Sequence, residues 1–121
     1  MLKYLLHTAM KPLVIYASAF ATVAAILGFK EEPMLITLVS AGLCGLILIT
    51  DWSTGRLLIA MFSFAVATTA EILIVNAGIW TYGANDVLGI PFWIPFVWVN
   101  GAFFFIQLKE DIDRIIRRRR V

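Results

Sequence analysis

The chain has one cysteine, one histidine and few charged side chains, and each scarcity excludes a class of protein. Cys44 has no second cysteine to pair with, so an intrachain disulfide is impossible. The single histidine, His7, cannot supply the several imidazoles that membrane di-iron enzymes and bis-histidine haem proteins need. We therefore expect no metal site and no cofactor.

Charged residues make up only 15% of the 121 residues, whereas 61% are hydrophobic and the mean hydropathy is +0.90. Soluble domains have about 25% charged and about 45–50% apolar residues, and a small soluble fold cannot bury this much apolar surface. The same composition excludes intrinsic disorder. The composition therefore predicts an integral membrane protein.

Apolar runs with no charge, or with one, divide the chain into four candidate membrane spans. They cover residues 12–29, 33–50, 57–80 and 90–108. Each is close to the roughly 20 residues that a helix needs to cross about 30 Å of hydrocarbon. The short connections favour antiparallel neighbours. We predict an all-α fold, in which residues 1–108 form an up-and-down bundle of four transmembrane helices and residues 109–121 form a tail.

Basic side chains are distributed unequally between the two ends of this bundle. One end holds Lys3, Lys11, Arg56, Lys109, Arg114, Arg117, Arg118, Arg119 and Arg120. The other end holds Lys30 alone. Because basic loops remain on the cytoplasmic side, we expect both termini in the cytoplasm and the protein in a bacterial inner membrane.

The tail combines this basic run with Ile112, Ile115 and Ile116 at helical spacing. The pattern is typical of a helix that continues from the fourth span and lies on anionic headgroups. It is also typical of a topology anchor without a partner. The basic block is short and lacks interleaved aromatic side chains, which argues against nucleic-acid binding.

Glu71 is the one charged side chain inside a predicted span, about 4 Å from the middle of that span. A charge at this depth costs several kcal/mol unless it is paired, hydrated or protonated. The functional interpretation is a proton donor, a proton carrier or a ligand anchor. The structural interpretation is a protonated carboxyl that binds Asn100 or a backbone carbonyl and holds helices together.

The candidate substrate-binding residues around Glu71 carry hydroxyl, amide, indole or phenol groups. They are Thr68, Asn76, Trp80, Tyr82, Trp98 and Asn100. The aromatic members also fit an interfacial belt at the membrane surface. Asp86, in the outer connection, is the second candidate catalytic acid, although an ordinary solvated loop residue is the simpler interpretation.

Residues 71–98 contain a recognisable order of glycine, aromatic and proline residues. After Glu71 come Gly78, Trp80, Tyr82, Leu88, Gly89, Pro91, Trp93, Pro95 and Trp98. This order resembles the carotenoid-biosynthesis membrane proteins of the carotenoid hydratase type, and more distantly the heterodimeric lycopene cyclases. It covers about 30 of the 121 residues. The cyclases carry a Pro-x-Glu-Glu acid pair, whereas here Pro91 is followed by Phe92, Trp93 and Ile94, with no acid.

The resemblance implies that the chain acts on an apolar isoprenoid lipid. Glu71 would protonate a polyene double bond, and Asp86 would help a water molecule to add to it. The ring faces of Trp80, Tyr82 and Trp98 would stabilise the intermediate carbocation.

Two other functions fit the same sequence. A four-helix chain with one polar helix face and a basic tail suits a non-catalytic small subunit of a larger membrane complex. A single intramembrane Glu suits a small proton-coupled transporter, although small multidrug transporters carry their Glu in the first helix, which here has no acid. The expected partners are membrane lipid, an apolar lipid or pigment, and either further copies of the chain or other subunits.

Overall fold

The computed structural model describes residues 1–82 and 88–120, with the backbone alone for residues 4–8. Within this part of the chain the structure consists of four α-helices, which confirms the all-α prediction. They are α1 (Leu2–Gly28), α2 (Pro33–Thr50), α3 (Thr54–Asn76) and α4 (Ile94–Arg119). The predicted site residue Asp86 lies outside the described residues.

Three of these helices are long and apolar enough to cross a membrane, as the composition predicts. The apolar stretches are Ala9–Gly28, Pro33–Thr50 and Thr54–Asn76. The fourth predicted span is helical only from Ile94, and its apolar part ends before Lys109. Pro95 lies in the first turn of α4, where its missing N–H breaks no helical hydrogen bond. The helical apolar part is therefore about 22 Å long, shorter than the hydrocarbon layer.

α3 ends at Asn76 rather than at residue 80, because a glycine terminates it. Gly78 has a φ of +76°, in the left-handed region, and its N–H donates to the carbonyl of Val75. The N–H of Ile79 donates to the carbonyl of Ile74. This pair of bonds is the Schellman arrangement that ends many helices. Glu71 consequently lies about 9 Å from the middle of α3, nearer to the helix end than predicted.

α4 is the central helix of the molecule. It packs against α1, α2 and α3, and α1 also packs against α2. Phe103 of α4 is fully buried and lies in one apolar cluster with Ile15, Ile47 and Ala60. Most of α3 remains exposed, and its buried residues are Arg56, Ala60 and Glu71. The two buried charged side chains of α3 therefore lie near its opposite ends.

Gly89 holds the segment before α4 against α3 at a point where a side chain does not fit. Its φ is +88°, and an added Cβ would lie 2.9 Å from Cγ1 of Val75. We predict that Gly89→Ala lowers the free energy of unfolding by about 1–3 kcal/mol, through backbone strain and overpacking. Unfolding by SDS in mixed micelles measures this change. Gly42→Ala is the control, because its Cβ meets nothing within 4 Å; an equal loss in both variants would contradict the prediction.

Candidate functional site

Glu71 lies just over one turn before the end of α3 and is 5% exposed. The hydroxyl of Tyr82 donates to Oε2 of Glu71 at 2.7 Å, and Nε1 of Trp98 donates to Oε1 at 3.0 Å. Each carboxyl oxygen therefore accepts one hydrogen bond. A carboxylate has about four acceptor positions, so about two remain for another donor.

The two donors reach Glu71 because the chain reverses direction after α3. Tyr82 lies in the segment that follows the glycine cap, and Trp98 lies near the start of α4. Side chains in a helix point back towards its N-terminus. The indole of Trp98 therefore extends towards the start of α4.

Further aromatic side chains hold Tyr82 in place. Its ring packs edge-on against Trp93, with centroids 6.2 Å apart and an interplanar angle of 84°. Burial and the hydrogen bond to Glu71 raise the pKa of the Tyr82 phenol to about 12, and a hydrogen bond with Trp80 acts in the opposite direction. The phenol is therefore protonated, and able to donate, throughout the physiological range.

The structure thus brings together four of the predicted site residues, since Glu71 contacts Tyr82 and Trp98, and Trp80 contacts Tyr82. Thr68 lies one turn before Glu71 on the same face of α3, and its buried Oγ1 has no partner among the described residues. Its position makes it a further polar group beside the carboxyl.

Asn76 and Asn100 lie apart from this site. Asn76 is exposed at the end of α3. Nδ2 of Asn100 donates to the carbonyl of Ser40 on α2 at 3.1 Å, so Asn100 is not the partner of Glu71 that one of the two interpretations allowed. Asn100 follows Trp98 by two residues, which places their side chains about 200° apart around α4. When Trp98 faces α3, Asn100 faces α2.

An apolar groove lies between α2 and α3, with α4 as its floor. It has a volume of about 310 Å³ and is lined by Cys44, Ala60, Met61, Phe64, Phe96 and Val99. Phe64 of the groove and Glu71 therefore lie on the same face of α3, about two turns or about 10 Å apart.

A polar cluster that was not predicted from the sequence lies near the start of α3, and we call it the four-helix ionic cluster. Arg56 is 6% exposed, its Nε donates to Oδ2 of Asp51 at 3.0 Å, and its guanidinium lies 5.6 Å from the ring centroid of Phe103. Lys11 lies 3.2 Å from Asp51 and 3.6 Å from Glu110. These contacts join the four helices at one end of the molecule.

A local signal for this cluster exists in the sequence. Ser53 caps α3, since its Oγ accepts the N–H of Arg56 at 3.1 Å. Asp51 and Arg56 flank this cap, so an acid and a base lie close together where α2 ends and α3 begins. The sequence analysis used Arg56 only as evidence for orientation.

Comparison with known proteins finds no match to this chain among protein-family models, curated proteins or solved structures. The resemblance to carotenoid-biosynthesis proteins therefore rests only on the residues quoted for it. Within the described part of the chain, no group of three or more His, Cys, Asp or Glu side chains can hold a metal ion. The function has to be argued from the geometry around Glu71.

Proposed function

We propose that this protein binds an apolar isoprenoid-type lipid within the membrane. In this proposal the chain of the lipid lies in the groove between α2 and α3, and a polar end reaches Glu71. The supporting observation is a buried carboxyl that two donors hold, on the same face of α3 as Phe64 of the apolar groove. Met61 and Phe64 of the groove are exposed, so a lipid can enter sideways from the bilayer.

Lipid binding fits the geometry of Glu71 better than proton donation to a polyene does. Both hydrogen bonds of Glu71 among the described residues are ones that it accepts, from Tyr82 and from Trp98. The remaining acceptor positions suit a hydroxyl group on the lipid. We therefore assign Glu71 the role of ligand anchor.

We further propose that both termini and the four-helix ionic cluster face the cytoplasm of a bacterial cell. The basic residues at that end, against Lys30 alone at the other, support this orientation. The fourth crossing then consists of the apolar part of α4 together with the preceding segment, in which Ile90 and Pro91 are buried. Glu71 lies towards the outer side of the membrane.

A lipid inventory tests the proposal. The protein is extracted in native membrane patches from a bacterial host that makes polyene isoprenoids, and bound lipids are quantified by mass spectrometry and absorbance. We expect about tenfold enrichment of isoprenoid lipid over bulk membrane, which corresponds to about 1.4 kcal/mol of preference. Phe64→Ala should remove most of this enrichment. Phe62→Ala, the matched control on an exposed face of α3, should retain it.

Glu71→Gln completes the test, because glutamine keeps the size of the side chain and one acceptor oxygen while removing the charge. We expect this variant to fold and to bind less isoprenoid lipid. Equal enrichment in the wild type and in Phe64→Ala would contradict the proposal. Recovery of a stoichiometric second protein without isoprenoid lipid would favour the small-subunit alternative instead, and proton release on adding substrate would favour the transporter.

A further inference from the structure

Asn100 is a buried amide whose nitrogen is hydrogen-bonded within the described residues and whose oxygen is not. It is 2% exposed, and Nδ2 donates to the carbonyl of Ser40. Its Oδ1 has no partner among the described residues. Buried side-chain acceptors are nearly always paired with a donor. The position of Oδ1 therefore indicates a donor that the described residues do not supply.

A groove between α1 and α4 leads to this amide. It has a volume of about 250 Å³, and Asn100 is part of its lining. Its apolar walls include Phe20 and Val23 of α1 and Val97 and Phe104 of α4. A ligand that fits these walls is a hydrocarbon chain.

The other polar side chain of this groove cannot serve Asn100. The hydroxyl of Thr22 already donates to the carbonyl of Ser18 on its own helix, at 2.8 Å. Ser40, the residue whose carbonyl Asn100 binds, also has a buried Oγ without a partner in the described part of the chain. A hydroxyl on a ligand can donate to one group and accept from another, which a charged ammonium cannot do. An ammonium would also carry a large desolvation cost in this setting.

We propose that the groove between α1 and α4 binds a long-chain lipid alcohol, whose hydroxyl donates to Oδ1 of Asn100. The hydrocarbon chain lies between Phe20 and Phe104. This site is separate from the groove at Glu71, because it lies between a different pair of helices and uses a neutral amide in place of a carboxylate.

Photolabelling in liposomes that contain the full-length protein tests this proposal. The probe is hexadecanol with a diazirine in its chain, and the matched probe is its methyl ether, which lacks the donor. Mass spectrometry maps labelled peptides that carry Phe20, Val23, Val97 or Phe104. At equal concentration in the membrane, we expect the alcohol to label these peptides about tenfold more than the ether does, since a site built for a hydroxyl rejects analogues without it.

Variants of two glycines separate binding in the groove from general contact with lipid. An added Cβ at Gly101 meets nothing within 4 Å, and Gly101 lines the groove, so the side chain of Gly101→Leu should occupy the groove and abolish labelling by the alcohol. Gly42→Leu adds the same side chain at an equally open position on α2 and should leave labelling unchanged. Asn100→Leu should make the alcohol and the ether label equally. If Asn100→Leu fails to fold, Gly101→Leu still tests the proposal.

Three outcomes overturn the proposal. The first is equal labelling of the wild type by the alcohol and the ether. The second is full labelling of Gly101→Leu by the alcohol. The third is stoichiometric cross-linking of the groove to a second copy of the chain. Glu71→Gln should not change labelling of the groove between α1 and α4. The proposal for Glu71 and the proposal for Asn100 can therefore fail independently of each other.

Discussion

Loss of both hydrogen-bond donors to Glu71 is expected to destabilise the folded protein by about 4 kcal/mol. Tyr82→Phe and Trp98→Phe should each cost about 1–2 kcal/mol, because each removes one hydrogen bond to a carboxyl that is 5% exposed. The double variant should cost more than the sum of the two, because the carboxyl then lies buried without either donor.

The decisive comparison is the effect of Glu71→Leu in two backgrounds. In the wild type this change leaves two donors without their acceptor, and we expect a loss of about 2 kcal/mol. In the Tyr82→Phe/Trp98→Phe background the same change removes an unpaired buried carboxyl. There it should raise stability, because replacing all partners of a buried polar contact by apolar groups is close to neutral.

Unfolding by SDS in mixed micelles, or steric trapping in bicelles, measures each member of this cycle. Trp52→Phe is the matched control for the loss of an indole N–H, because Trp52 is 67% exposed and should contribute little. If Glu71→Leu destabilises both backgrounds equally, Glu71 stabilises the protein by packing and not through Tyr82 and Trp98.

Parts of this site can be predicted from the sequence, because an acid in an apolar helix is costly and needs partners. That argument finds Glu71, and the aromatic residues after Gly78 include both of its donors, Tyr82 and Trp98. Helical geometry also shows that Trp98 and Asn100 cannot both face Glu71, since their side chains lie about 200° apart around α4. Which of the two faces α3 depends on how α4 packs against α2, and that is a property of the tertiary structure.

Helix boundaries can be predicted from the sequence where a capping residue marks them, but not from hydropathy alone. The prediction of residues 33–50 matches α2, because Pro33 begins the helix and the polar Asp51 follows it. The prediction of residues 57–80 fails at both ends of α3. Apolar residues continue beyond Gly78, and hydropathy does not distinguish an apolar helix from an apolar turn. The Ser53 cap and the Schellman glycine do mark these ends in the sequence.

Near the start of α3, Arg56→Met is expected to lower the free energy of unfolding by about 2–3 kcal/mol. The change removes the ion pair with Asp51 and the contact between the guanidinium and the ring of Phe103. Lys11 still neutralises Asp51, which keeps the loss below that of a fully unpaired buried charge. Arg56→Lys retains the charge but not the planar guanidinium, so we expect it to recover only part of the loss.

The dependence of this loss on pH shows which contact causes it. Burial opposes ionisation of Asp51, but the hydrogen bonds and charges of Lys11 and Arg56 outweigh that effect and lower its pKa below 3.8. A lowered pKa contributes stability that is present above the unfolded value and is lost as the pH falls through the folded value. The cost of Arg56→Met should therefore shrink as the pH falls through the lowered pKa of Asp51, and Asp51→Asn should make it independent of pH. A cost that is equal at neutral and acid pH in the wild-type background would assign the effect of Arg56 to Phe103 instead of Asp51.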